Sequence, residues 1–517
     1  MRRKRILRRI VASAVALSMM AALSAPAFAA TFNISNGGLV IEANHDGSVT
    51  VWQDGCSGSS GSMTTVDSGE EIEITGSINM ADSKYAPTSN SLASNSEIYY
   101  PTTEKEAEEP DTEEQQTQKE AEESDTEEPK TQEKADEPAA EEQQTQKKAE
   151  GKKEASASAE ATATASAGVR VSYGDSSRIR TGVIEIINNT VNKLKLTFNN
   201  VTVQQEKAAG SGGGGAAGVD VAGNGDVEIE LKGKNTIKGT VGHAGIEKDV
   251  TKDASGSTIT NGGGTLTITA KDTNQTLYAE GGSGGAGIGS GQYRGSVEVY
   301  NGEKLSLGTG SIVISGGKIE AVGGDGGYKG AGIGTGITLS GTDTSKFVDT
   351  NITITGDADV TAKANGDNAI GGTDANAVIT ISGNAKVSAE GSNVYIGGFG
   401  IGSGKGNLSL TLKDNAKVDA VGESGGVGSN QENAKVTVTV SDNASLDARC
   451  DKLRDETSYV YGAGIGAKDA KNLSVSVSDS AQVTAKGGAG GSEVTNSGYR
   501  SAASAGAGIG TPGQLWG

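Results

Sequence analysis

Apolar residues alternate with Ser, Thr, Lys and Asp along much of this chain, and a period of two predicts strands with one inward and one outward face. The pattern is clearest in Val378-Ile-Thr-Ile-Ser-Gly-Asn-Ala-Lys-Val-Ser-Ala389 and Leu408-Ser-Leu-Thr-Leu-Lys-Asp-Asn-Ala-Lys-Val-Asp-Ala420. It returns in Val436-Thr-Val-Thr-Val-Ser-Asp-Asn-Ala-Ser-Leu-Asp-Ala448 and Leu473-Ser-Val-Ser-Val-Ser-Asp-Ser-Ala-Gln-Val-Thr-Ala485. Each copy reads as a strand, a turn, a second short strand and a closing Ala. More divergent copies run from Ile312 to Ala321 and from Ile352 to Ala362.

A second element, Gly-Ala-Gly-Ile-Gly, lies between these copies at Gly285 to Gly289, Gly330 to Gly334, Gly462 to Gly466 and Gly506 to Gly510. Weaker forms surround Val219, Ile246, Ile370, Ile401 and Val427. From Val219 to Ile509 the intervals range from 26 to 45 residues, so the variable part belongs in loops. Three short strands per repeat, each stacked on its equivalent in the next, make a parallel β-helix with one layer of core side chains per coil. The Ile of each glycine-rich strand then points inward, while its glycines allow a tight bend and close backbone approach. Asn384, Asn415 and Asn443 share one turn position, where left-handed backbone and stacked side-chain amides are expected.

Strand patterns also occur at Phe32 to Glu42, Ser48 to Trp52 and Glu71 to Gly76, and resume at Gly182 to Ile187 and Leu194 to Phe198. Between them the composition changes abruptly. Residues 104–154 hold 20 acidic and 8 basic side chains with no Val, Ile, Leu or aromatic residue, and residues 108–149 repeat a 14-residue unit. Without an apolar stripe such a segment cannot offset the entropy of ordering, and a disordered, extended arm is expected. The chain therefore divides into residues 1–29, 30–82 as N-terminal coils, 83–168 as an acidic insertion between early coils, and 169–517 as the main run of coils. The first 29 residues read as a signal peptide: six cations in the first nine residues, an apolar run from Ile10 to about Leu23, and Ala27-x-Ala29 at the cleavage point. The apolar run is shorter than the ~20 residues needed to span a bilayer. The mature protein is expected to be extracellular, secreted or associated with the cell surface.

Composition narrows the class further. Glycine makes up 79 of 517 residues and aromatics only 4%, which excludes a thick core, and seven prolines without glycine at every third position exclude collagen. The net charge of −20 disfavours nucleic acid and anionic membrane surfaces as partners. Cys56 and Cys450 lie many coils apart and are read as unpaired. His45 and His243 stand in unrelated contexts and offer neither a metal site nor a Ser-His-Asp triad.

Calcium is the one cofactor to weigh. Asp414, Asp442 and Asp479 recur at one position, and Gly323-Gly-Asp-Gly-Gly327 resembles a single calcium-binding nonapeptide. The aspartates sit in Asp-Asn-Ala or Asp-Ser-Ala turns, where Asp serves local hydrogen bonding, and that role is preferred. Tyr278, Tyr328, Tyr395, Tyr461 and Tyr499 each precede the Ile of a glycine-rich strand by 4 to 10 residues and are expected in glycine-rich loops. Stacked loops would gather these tyrosines into a platform on which sugar rings could lie. Covering the loop bases is the competing role for the same residues.

The repeated Gly-Ala-Gly-Ile-Gly with its flanking strands, together with Leu194-Lys-Leu-Thr-Phe-Asn-Asn-Val-Thr-Val203 and Val227-Glu-Ile-Glu-Leu-Lys-Gly-Lys-Asn-Thr-Ile237, resembles secreted right-handed parallel β-helix proteins of Gram-positive gut bacteria. The resemblance covers roughly residues 31–82 and 169–510 and implies a carbohydrate-binding or adhesin-like surface protein. It implies a polysaccharide or a host or cell-surface glycan as partner. Members of that group commonly end in a wall-attachment module; the final Gly510-Thr-Pro-Gly-Gln-Leu-Trp-Gly517 follows a repeat directly, so an incomplete product is expected. Two functional classes follow: a non-catalytic glycan-binding or adhesive rod, and a polysaccharide lyase or glycoside hydrolase on the same scaffold. No catalytic constellation is recognisable in the sequence, which favours the first.

Overall fold

The alternating segments form strands that stack coil upon coil. The computed structural model describes residues 30–53, 61–79, 182–204, 216–252, 258–292, 308–326, 329–337, 347–373, 375–392, 398–429, 431–451, 462–467, 470–488, 494–496, 499–501 and 506–511. Two compact units divide the chain, one formed by Met1–Ala93 with Arg170–Gly517 and one by Ser94–Val169. Every described residue belongs to the first unit, and the signal-peptide and acidic-arm readings fall outside the described residues.

That unit is a parallel β-helix. The first strands of successive coils pair in parallel and in register, as Ile352 with Ile379, Leu410 and Val438 shows. The second strands do the same from Val360 through Val387 and Val418 to Leu446. The third strands build a ladder in which Val219, Ile246, Ile288, Ile333, Ile370, Ile401, Val427, Ile465 and Ile509 are successive partners. Thus the intact and the weak copies of Gly-Ala-Gly-Ile-Gly occupy one continuous position, with every Ile or Val from 219 to 465 fully buried. Burying each such side chain contributes about 1.5–3 kcal/mol.

The glycine-alanine chemistry follows from a narrow cross-section. The closing alanines of the second strands, Ala321, Ala362, Ala389, Ala420 and Ala448, stack with no exposed surface. The central glycine of the facing third strand lies against this column: a Cβ on Gly332 would sit 2.7 Å from Lys363 N and 2.8 Å from Ala321 O. No other residue fits there without moving backbone. The buried Phe399 side chain lies against Gly402, Gly425 and Gly428, where a Cβ would meet it at 2.8 Å.

At the N-terminal side, Leu39–Ala43 pairs antiparallel with Val49–Gln53, which pairs antiparallel with Ser62–Val66. Leu39–Ala43 also pairs in parallel with Gly182–Asn188, and Ile72–Asn79 with Leu194–Gln204, so strands flanking residues 80–181 share the same ladders.

The turn between first and second strands corrects one expectation. The left-handed residues are Gly383, Asp414 and Asp442, with φ of 68°, 61° and 58°, one position before Asn384, Asn415 and Asn443, and Asp479, with φ of 58°, holds the same place before Ser480. Each Asp also accepts a backbone N–H from the coil before: Asp414 Oδ2 from Gly383 at 2.9 Å, Asp442 Oδ2 from Asp414 at 3.0 Å and Asp479 Oδ2 from Asp442 at 3.3 Å. Amide stacking does occur, with Asn415 Nδ2 donating to Asn384 Oδ1 at 3.1 Å and Asn443 Nδ2 to Asn415 Oδ1 at 3.2 Å.

Candidate functional site

Outward residues of neighbouring strands fall into columns, and the two main faces differ in chemistry. On the first-strand face, fourteen outward positions run from Thr265 and Thr267 to Ser474 and Ser476, and none is charged. Over these coils the second-strand face therefore carries the charge, whereas nearer the N-terminus the first-strand ladder also bears Lys195, Glu228 and Glu230. One of its columns is Lys318, Asp359, Lys386, Lys417, Ser445 and Gln482; the next is Tyr278, Glu320, Thr361, Ser388, Asp419, Asp447 and Thr484.

An open cleft of about 350 Å³ lies between these columns. Lys386, Lys417, Ser388, Asp419 and Asp447 line it, over a floor that includes Val387, Val418 and Leu446. Arg449, in the column beyond, donates from Nη2 to Asp419 Oδ1 at 2.6 Å, and its Nη1 lies 3.9 Å from Asp447 Oδ2. Arg449 Nε and Asp447 Oδ1 are shielded from solvent and have no hydrogen-bond partner, so this network is incompletely satisfied. Burial pushes the Asp419 carboxyl above its ordinary range, and the Asp447 charge adds to this, while Arg449 opposes it.

Lys386 and Lys417 are directly paired across adjacent coils. Both are exposed, and neither has a carboxylate within ion-pair distance among the described residues. Three other cations on this face are ion-paired, Lys238 with Glu280 at 2.7 Å, Lys363 with Glu320 at 3.7 Å, and Arg449 with Asp419, whereas Lys318, in the same column as Lys386, is not paired among the described residues.

Of the five candidate tyrosines, the structure describes the side chain of Tyr278. It stands on the strand Thr276–Glu280 rather than in a glycine-rich loop, because its outward position in the period-two pattern puts it in the column that leads to Asp419 and Asp447. Its hydroxyl donates to Glu280 Oε2 at 2.9 Å, and Lys238 Nζ lies 5.5 Å from the ring centre. Burial and then Glu280 hold its hydroxyl well above the usual tyrosine range. Tyr499 opens the short strand Tyr499–Ser501, antiparallel to Val494–Asn496. Tyr328, Tyr395 and Tyr461 lie outside the described residues, as does Cys56.

The aspartates weighed for calcium are engaged with backbone, as described above. Asp325 of the nonapeptide-like segment pairs with Lys329 at 3.2 Å. Among the described residues no three His, Cys, Asp or Glu side chains gather in a metal-binding arrangement. Cys450 is buried, its thiol pushed up to about 11 by burial, and is free of a disulfide.

A second polar cluster escaped the sequence. His243 Nδ1 meets the buried Glu247 carboxylate, which also accepts from Ala244 N at 2.7 Å. The adjacent Lys248 is buried and donates to Gly262 O at 2.6 Å and Thr309 O at 3.1 Å. Spacing of four residues outside a helix carries no pattern that marks such a pair.

No family model, curated protein or solved structure matches the chain. What stands of the resemblance is the parallel β-helix itself. Among the described residues no helix is long and apolar enough to cross a membrane.

Proposed function

We propose that the protein is a non-catalytic rod, secreted or held at the cell surface, that binds glycans on the outward face of its second strands. The observation that carries this is the open cleft between Lys386, Lys417, Asp419 and Asp447. Sugars are bound through several directed polar contacts, and this cleft supplies cations, carboxylates and hydroxyls from consecutive coils. Tyr278, in the same column, adds a ring for stacking. The amino-terminal signal-peptide pattern supports export.

The test is a glycan array probed with the full chain and with Ser388→Trp, which fills the cleft from an outward position and spares the core. Binding by the wild type and its loss in the variant is the expected result. No bound glycan, or unchanged binding by the variant, rejects the proposal.

One observation favours a polysaccharide-cleaving enzyme as the second reading. Asp419, whose carboxyl burial raises, stands in register with Asp447, and a raised carboxyl beside a second one can serve acid-base chemistry. Release of reducing ends or unsaturated products from a polysaccharide, abolished by Asp419→Asn, would establish that reading.

A further inference from the structure

Two lysines stand side by side in the cleft without partners. Like charges directly opposite on neighbouring strands repel, and Lys386 and Lys417 form such a pair. The chain carries 65 acidic residues against 45 basic ones, so carboxylates to neutralise them are plentiful. Lys238, Lys363 and Arg449 on the same face each pair with one, whereas Lys318 and Lys386, on either side of Asp359 in their column, do not. The neighbouring column repeats the situation with opposite sign, since Asp419 and Asp447 are also directly paired, and there Arg449 reaches both. The two columns are two residues apart along the strands, about 7 Å. The cleft thus has a lysine pair without an ion-paired carboxylate, with Asp359 beyond Lys386 in the same column, and, within one sugar's width, the Asp419 and Asp447 carboxylates.

We infer that the cleft takes a sugar bearing a carboxylate, with the carboxylate between the Lys386 and Lys417 ammonium groups and neighbouring hydroxyls donating to Asp419 and Asp447. The inference rests on the glycan-binding proposal and names the class of glycan. A neutral sugar would leave the lysine pair uncompensated. A bare anion such as phosphate would satisfy the lysines and meet repulsion from the aspartates. A sugar acid matches both columns, because its charge and its hydroxyl donors are held a few ångströms apart on one ring. Charge-assisted hydrogen bonds of this type are about twice as strong as neutral ones, and in a chain of net charge −20 the attraction has to be local.

Uronate residues of a wall polysaccharide and sialate residues of a host glycan share this chemistry, and the test separates them. Binding of the full chain is measured to polygalacturonate, to the same polymer methyl-esterified, to a sialylated oligosaccharide and to its desialylated form. At least tenfold tighter binding of one acidic probe over its neutral counterpart is expected, weakening as salt rises. Lys386→Gln with Lys417→Gln should abolish that preference while leaving the circular dichroism spectrum and melting temperature unchanged, since both side chains are exposed. Asp419→Asn should weaken acidic and neutral probes alike. Equal binding of acidic and neutral probes, or a preference that survives in the double lysine variant, overturns the inference and leaves the glycan-binding proposal standing. Absence of binding to these probes and to the glycan array overturns both.

Discussion

His243 Nδ1 lies 3.1 Å from Glu247 Oε1 within a single coil, at the edge of the solenoid core. Burial alone would lower the pKa of this imidazole, but the Glu247 carboxylate outweighs it and raises His243 to about 9. The folded state therefore holds a proton that the unfolded chain releases above its ordinary value of 6.5. The stabilisation is complete below pH 6.5 and is lost as pH rises through about 9. Melting temperatures measured across this window should fall for the wild type and change less for His243→Gln.

Lys248 works in the opposite direction. Burial lowers it to about 8 from 10.5, so the unfolded state binds more protons between these values and stability rises with pH there. Lys248→Met should remove that rise, and at neutral pH should destabilise by about 1–3 kcal/mol through the carbonyls of Gly262 and Thr309 that lose their donor. Chemical denaturation at neutral pH and at pH 10 reads both effects.

The glycine-rich strand should be intolerant in two distinct ways. Ile370→Ala empties a fully buried position and is expected to lower stability by about 2–5 kcal/mol. Gly332→Ala adds one carbon against the backbone of Lys363 and Ala321, with an expected loss of about 1–3 kcal/mol from overpacking. Urea unfolding of the two variants checks both values.

At the turns, Asp442 has two tasks: it holds φ of 58° and accepts the Asp414 N–H. Asp442→Ala disturbs both and should destabilise by about 2 kcal/mol. Asp442→Gly relieves the backbone but not the lost acceptor, and Asp442→Asn keeps both. The expected order of melting temperatures is Asn above Gly above Ala.

In the cleft, Arg449 opposes the rise of the Asp419 carboxyl that burial causes. Arg449→Ala should therefore shift the Asp419 titration to still higher pH, as followed by carboxyl carbon NMR. An unchanged titration would show that the 2.6 Å contact is not maintained in solution.

Much of the scaffold was legible because inward positions speak through chemistry that repeats. Degenerate copies around Val219 and Val427 aligned with the intact ones, since the core accepts any branched apolar side chain at that place. The turns were less legible, because Asp and Asn both tolerate left-handed backbone and the period cannot say which of two neighbours adopts it. The cleft was not legible. Ser388, Asp419 and Asp447 are separated by 31 and 28 residues, and only the register of the coils makes them neighbours. Tyr278 stood out in the sequence by its place ahead of a glycine-rich strand, yet its setting on a strand depended on that same register.

The ladders that flank residues 80–181 also set an order of assembly. Ile379 finds its partner Leu410 after 31 residues of chain, whereas Ile72 must wait 124 residues for Leu196. Contacts close in sequence form sooner than distant ones. The repeats from Ile352 onward can therefore zip up as a nucleus of their own, and the amino-terminal strands, though synthesised first, are fastened on last.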